Sequence, residues 1–123
     1  MMTGIRDCYF VGSTKRALSV MPQDVKSAFG LALFQAQVGG EAENVKALKG
    51  FGGRGVLEIV ENHDGDTYRA VYTVRYSTGI YVLHAFQKKS KSGIATPKQH
   101  LELVACRLKD AEVLHFHNLK GTI

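Results

Sequence analysis

The residues equipped for chemistry crowd one stretch of this chain. Arg69 and Arg75 recur in one alternating run, Glu58 lies in the run before it, His84 in the run after, and Lys88, Lys89 and Lys91 crowd the end of that third run. From Asp66 to Glu102 no acidic residue intervenes, while Arg69, Arg75, Lys88, Lys89, Lys91 and Lys98 all fall inside. A surface that needs only solubility intersperses both signs, so a one-sign stretch of this length fits a phosphate-rich ligand or an acidic protein. Converging cations also depress one another's pKa toward the range useful for proton transfer.

Other constellations carry less. Gly50-Phe51-Gly52-Gly53-Arg54-Gly55 matches G-x-G-x-x-G letter by letter but precedes a strand-like run, whereas a dinucleotide fingerprint leaves a strand and opens a helix. It reads either as a loop with exposed backbone amides, flanked by Lys46, Lys49 and Arg54 and able to receive a phosphate backbone, or as a mobile structural loop. His63, His84, His100, His115 and His117 show no H-E-x-x-H spacing and no Cys-His pairing suited to zinc, so neither metal nor cofactor is expected. His115 and His117 read as a solvated pair in a polar C-terminal tail beyond about residue 113. Walker, Gly-x-Ser-x-Gly and Cys-His signatures are absent. Cys8 and Cys106 stand far apart and read as reduced, buried thiols.

The elements that must position these groups follow from periodicity. Ile5 to Val11 reads as an opening strand ended by Gly12, and Ser13 and Thr14 cap a short helix through Ser19. Pro22 suits a first helical position; Val25, Phe29, Ala32 and Ala36 follow at helical spacing, with Leu31, Phe34 and Val38 as a second apolar stripe that implies cover over much of the circumference. Gly39-Gly40 supplies a left-handed stop. From Val56 the pattern turns to alternating β-branched and aromatic residues in three runs: Val56 to Asn62, Thr67 to Tyr76 and Ile80 to Gln87. Asp64-Gly65 predicts a tight hairpin, and Ser77-Thr78-Gly79 the next turn. Along the middle run Arg69, Val71, Thr73 and Arg75 share one face and Tyr68, Ala70, Tyr72, Val74 and Tyr76 the other, which leaves Glu58 placed to orient Arg69 across the hairpin. The third run is apolar on both faces, as in a central strand. Thr96-Pro97-Lys98-Gln99 combines a capping box with a helix-starting proline, opening a last helix to about Val113. The order strand, helix, helix, strand, strand, strand, helix argues for an α+β fold around a small antiparallel sheet.

Composition bounds the rest. A chain of 123 residues, 45% hydrophobic and 22% charged, fits one globular domain. Its formal net charge of +5 suits a polyanionic partner. Even Phe29 to Phe34 is interrupted by Gly30, so no run approaches a membrane span, and the first residues lack a secretory pattern; a cytoplasmic location is expected.

At Ala47-Leu48-Lys49-Gly50, Asp66 through Tyr72, Tyr81 through Ser90 and Lys91-x-Gly93, the sequence resembles the RelE/ParE toxin superfamily, in particular its HigB-like, phage-associated branch. The resemblance covers roughly residues 5 to 112, and His84-Ala85-Phe86-Gln87-Lys88-Lys89-Ser90 is its most distinctive part. It implies a compact domain with two N-terminal helices, a small sheet and a C-terminal helix. It further implies ribosome-dependent endonucleolytic cleavage of mRNA, restrained by a helix-turn-helix antitoxin. By position Lys49 resembles a basic residue contacting RNA, and Arg69 the sheet arginine that stabilises the scissile phosphate. The family often places a tyrosine or acid near the end of the last strand, where this chain has Gln87, Lys88 and Lys89.

A metal-independent mechanism needs only a base, an acid and cations, because the RNA 2′-hydroxyl attacks its own phosphate. Arg69, Lys88, Lys89, Glu58 and His84 are the catalytic candidates, with the base open among Glu58, His84 and Lys88; Lys49, Arg54, Arg75, Lys91 and Lys98 are candidates for holding nucleic acid. The competing functions are a ParE-like inhibitor of DNA gyrase and a non-catalytic RNA-binding or interaction module.

Overall fold

The computed structural model describes residues 4–53, 55–88 and 95–121. Strand β1 (Cys8–Phe10) is followed by helices α1 (Thr14–Ser19) and α2 (Gln23–Gln37), strands β2 (Val45–Ala47), β3 (Val56–His63), β4 (Asp66–Thr73) and β5 (Ile80–Lys88), and helix α3 (Lys98–Gly121). The α+β class is as expected, but the sheet has five strands in the order β1-β5-β4-β3-β2 and is mixed, because β1 runs parallel to β5. β2, absent from the sequence reading, is three residues that pair with β3.

The β3–β4 hairpin closes where expected. Asp64 and Gly65 both hold positive φ, 50° and 83°, the pair of values a type I′ turn demands, and His63 faces Asp66 across it. α2 ends as Gly39-Gly40 implies: Gly39 has φ 92°, its N–H reaches Ala36 O, and the Gly40 N–H reaches back to Gln35 O at 2.7 Å.

Two apolar layers flank the sheet. On one face Val25, Phe29, Ala32 and Ala36 of α2 cover Leu57, Ile59, Tyr68, Ala70, Tyr72, Ile80, Val82 and Ala85. On the other Val104 and Ala111 of α3 cover Val56, Val71, Tyr81 and Leu83. Burying a side chain such as Phe29 contributes about 1.5–3 kcal/mol, and alternation along each strand is what divides the residues between the layers.

Four expectations need correction. Leu31, Phe34 and Val38 are exposed, not covered, since only one stripe of α2 meets the sheet. Cys106 lies on the exposed side of α3; Cys8 is half-buried, and burial pushes its thiol up to about 11. α3 continues past Val113 to Gly121, because His115 and Asn118 dock on Thr78 and Tyr81: His115 Nδ1 is 2.9 Å from Thr78 Oγ1, and Asn118 Nδ2 donates to Tyr81 Oη at 2.9 Å. His115 also stacks on Tyr76, so it is not part of a solvated tail. Finally, β4 stops at Thr73, and Tyr76 packs with the α3 layer instead of sharing the face of Tyr68, Ala70 and Tyr72.

Candidate functional site

A β-bulge decides which side chains meet under α3. Opposite β4, Val71 pairs with His84 and Tyr72 with Val82, so Leu83 is the extra residue of β5. Before it Ile80 and Val82 face α2; after it Ala85 faces α2 and His84 and Phe86 turn to α3. Strict alternation from Ile80 would have sent His84 and Phe86 to the α2 side. Arg107 of α3 takes up the backbone the bulge releases: its Nη1 donates to Leu83 O at 3.0 Å and to Thr14 Oγ1 at 3.2 Å, and its Nη2 to Ser13 Oγ at 3.0 Å.

At the centre of this face lie Glu58 and Arg69, 0% and 4% exposed. Their backbones are diagonal, since Glu58 pairs with Val71 and Arg69 with Val60, and the long arginine spans the gap. Arg69 Nη1 donates to Glu58 Oε1 at 3.1 Å and to Thr96 Oγ1 at 3.3 Å, while the Thr96 hydroxyl donates to Glu58 Oε2 at 2.7 Å. The Glu58 orientation of Arg69 expected across the hairpin is thus present. The Thr96 hydroxyl serves this triangle, where a capping box would have turned it to the backbone of α3. Arg69 Nε, although buried, has no hydrogen-bond partner among the described residues. A buried N–H left unspent costs about 1–3 kcal/mol, so the guanidinium holds donor capacity that the described residues do not use.

Glu58 and Thr96 also line a cleft of about 250 Å³ together with Lys46, Leu48, Lys49 and Leu101. Lys46 is the direct cross-strand partner of Glu58, and both lysines are exposed, so two cations stand at the mouth, and Glu58, whose charge Arg69 neutralises, lies on the wall. Such a wall confers direction more than net charge: guanidinium geometry suits two oxygens of one phosphate, and the lysines supply the local positive potential.

On the far side of Arg69 its cross-strand neighbour Phe86 carries an aromatic stack. The His100 ring lies 3.7 Å from that of Phe86 at 10°, and His84 Nε2 is 2.8 Å from His100 Nδ1. Burial, then His100 and Arg107, lowers His84 to about 4; burial lowers His100 as well. Both imidazoles are therefore neutral near pH 7. Lys88, at the end of β5, donates to Ala95 O at 2.9 Å and so joins the strand to the approach of α3.

Of the residues singled out from the sequence, Glu58, Arg69, His84 and Lys88 share the α3 face, and Lys49 stands at the cleft mouth. Lys98 is exposed at the start of α3, two residues past Thr96. Arg75 is not with them. It follows the opposite end of β4, about 20 Å along the chain from Arg69 at strand rise, where its guanidinium donates to Phe51 O and its stem lies against Gly55. The glycine loop is thus braced by an arginine from within. Arg54, Lys89 and Lys91 lie outside the described residues. Sequence reasoning gave no site role to His100 or Arg107, read Lys46 only as a flank of the glycine loop and Thr96 only as a helix cap; a lysine at the register position of Glu58 and a helix starting beside the end of β5 become informative only once β2 and the bulge are known.

No curated protein and no solved structure matches the chain. One family model does, that of the phage-derived Gp49-like proteins (DUF891), over residues 16–109, a span that takes in β2 to β5 and every residue of the cleft and the aromatic stack. Among the described residues no helix is long and apolar enough to cross a membrane. With most of its length inside that match, the chain belongs to the phage-derived Gp49-like family, a family associated with RelE-like toxins.

Proposed function

We propose that this protein is the toxin of a toxin–antitoxin pair of HigB-like character, which cleaves mRNA on the ribosome without a metal ion and is held in check by a small helix-turn-helix antitoxin. The observation that carries the reading is Arg69: one nitrogen is fixed by Glu58 and Thr96, the Nε–H has no partner among the described residues, and the lysines of the cleft stand beyond. In RNA cleavage by 2′-hydroxyl attack, charge develops on the phosphate oxygens, and preorganised donors in a water-poor site stabilise it most. Lys46 and Lys49 draw in the RNA backbone, Arg69 meets the pentavalent phosphorus, and Glu58 holds Arg69 in place. A placement of Glu58 as proton acceptor is less economical, since both of its carboxylate oxygens already take hydrogen bonds.

The test is a translation reaction primed with one defined message, containing the purified chain, run with ribosomes present or omitted. Cuts within the translated frame that require the ribosome support the reading, and their persistence in purified ribosome complexes after chelation of transition metals supports metal independence. Intact message together with blocked DNA supercoiling would replace it with a gyrase-directed toxin. Intact message with tight RNA binding alone would leave a binding module.

A further inference from the structure

The group on this face with no role so far is His100. It sits in the first turn of α3, four residues past Thr96, with its ring flat on Phe86, the cross-strand neighbour of Arg69. Its Nδ1 meets His84 Nε2 at 2.8 Å. His84 is buried and His100 only partly so, which makes His84 the fixed member of the pair and His100 the one partly open to solvent, one aromatic ring away from Arg69. A single proton lies between the two ring nitrogens. When His100 supplies it from Nδ1, the His100 Nε2 lone pair is left free, and His84 keeps its own proton on Nδ1. Beside the pair stands Arg107 of α3, and, past Phe86, Arg69 of β4 with Glu58 of β3; Val71, the β4 neighbour of His84, does not ionise. Burial keeps both imidazoles unprotonated and ready to accept, with His100 and Arg107 adding to the effect at His84.

We propose that His100 takes the proton of the attacking 2′-hydroxyl, and that His84 is a positioning residue that holds His100 in its accepting tautomer. This rests on the ribonuclease reading above. The proton passes to His100 Nε2 as the 2′-oxygen bonds to phosphorus; the bond from phosphorus to the 5′-oxygen breaks, and the departing oxygen takes a proton from water. The hydroxide so formed is neutralised by the proton that His100 releases. The products are a 2′,3′-cyclic phosphate and a 5′-hydroxyl.

The experiment is single-turnover cleavage of a defined message on programmed ribosomes by the full chain, from pH 5 to pH 8. His100→Ala is expected to keep its circular dichroism spectrum, to lose about 100-fold or more in rate, and to regain activity with added imidazole, along the titration of free imidazole. His84→Gln is expected to lower the rate at saturating ribosome and to displace the acid limb, leaving half-saturation unchanged. Should His84→Gln fail to fold, the imidazole response of His100→Ala still decides. A His100→Ala protein that cleaves at the wild-type rate, or one that loses activity without any imidazole response, overturns the assignment while wild-type cleavage keeps the ribonuclease reading. Absence of wild-type cleavage overturns both.

Discussion

Removing Arg69 alone confounds fold with function, and the structure shows how to separate them. Glu58 is fully buried, and its carboxylate is held by Arg69 and by the Thr96 hydroxyl. Truncating Arg69 to Ala leaves a buried carboxylate with one neutral donor, a change that costs about 3–5 kcal/mol. Against a total stability of about 5–15 kcal/mol that is roughly a fifth or more, and at about 4 °C per kcal/mol the midpoint of thermal unfolding should fall by roughly 12–20 °C. Lost cleavage in Arg69→Ala is therefore ambiguous. The double variant Glu58→Leu/Arg69→Met removes both charges and fills similar volume; replacing a buried pair by apolar side chains is neutral or stabilising by about 1–4 kcal/mol. It should unfold at or above the wild-type urea midpoint and still lose about 100-fold or more in cleavage of a translated message. Wild-type cleavage by the folded double variant would remove the pair from the chemistry. A double variant as unstable as Arg69→Ala would show that packing around residue 69, and not the uncompensated carboxylate, sets the cost.

Three further outcomes can be checked. Because burial and nearby cations hold His84 at about 4, the unfolded chain binds its proton near pH 6.5 and the folded chain does not. Stability is thus present above about pH 6.5 and lost as pH falls toward 4; the drop in unfolding free energy from pH 7 to pH 5 should exceed that of His84→Gln by about 2 kcal/mol. Lys46→Ala and Lys49→Ala should each weaken binding to single-stranded RNA across sequences and reduce the slope of log affinity against log salt by about 0.7, read by titration at several salt concentrations. Gly55→Ala should destabilise by about 1–2 kcal/mol, since φ is 111° there and a Cβ would come within 2.8 Å of Arg75 Cγ, whereas Gly30→Ala, with open space around it inside α2, should stabilise by about 0.5–1 kcal/mol in denaturant titrations.

What was legible follows from rules that act over a few residues. The hairpin at Asp64-Gly65, the stop at Gly39-Gly40 and the buried stripe of Val25, Phe29, Ala32 and Ala36 each depend on local geometry, and each stands as read. The apolar stripe of Leu31, Phe34 and Val38 was misread for the complementary reason. Spacing tells which residues share a helix face, but only the number of layers in the fold tells whether anything covers that face. β2 was invisible because Val45-Lys46-Ala47 is too short to show a period-two pattern and is a strand only by pairing with β3.

The same division runs through the site. Glu58 and Arg69 were findable because a tight hairpin fixes which residues of β3 and β4 lie diagonal, so their contact is a consequence of the turn at Asp64-Gly65 that lies between them in sequence, not of distant packing. His84 and Phe86 obey no such rule. One added residue, Leu83, reverses the facing of everything after it on β5, and no side chain between Ile80 and Lys88 announces it. Without the bulge His84 would lie in the α2 core and His100 would meet an alanine. With it, β5 presents two different patterns to one helix, apolar under the middle of α3 and titratable under its first turn. Arg107, bonded to Leu83 O, holds that arrangement from α3. The chemistry of this face therefore depends on a backbone irregularity and on the helix that covers it, and Arg107→Leu should disturb the His84–His100 bond before it disturbs the Glu58–Arg69 pair, a difference visible in the histidine ring resonances at neutral pH.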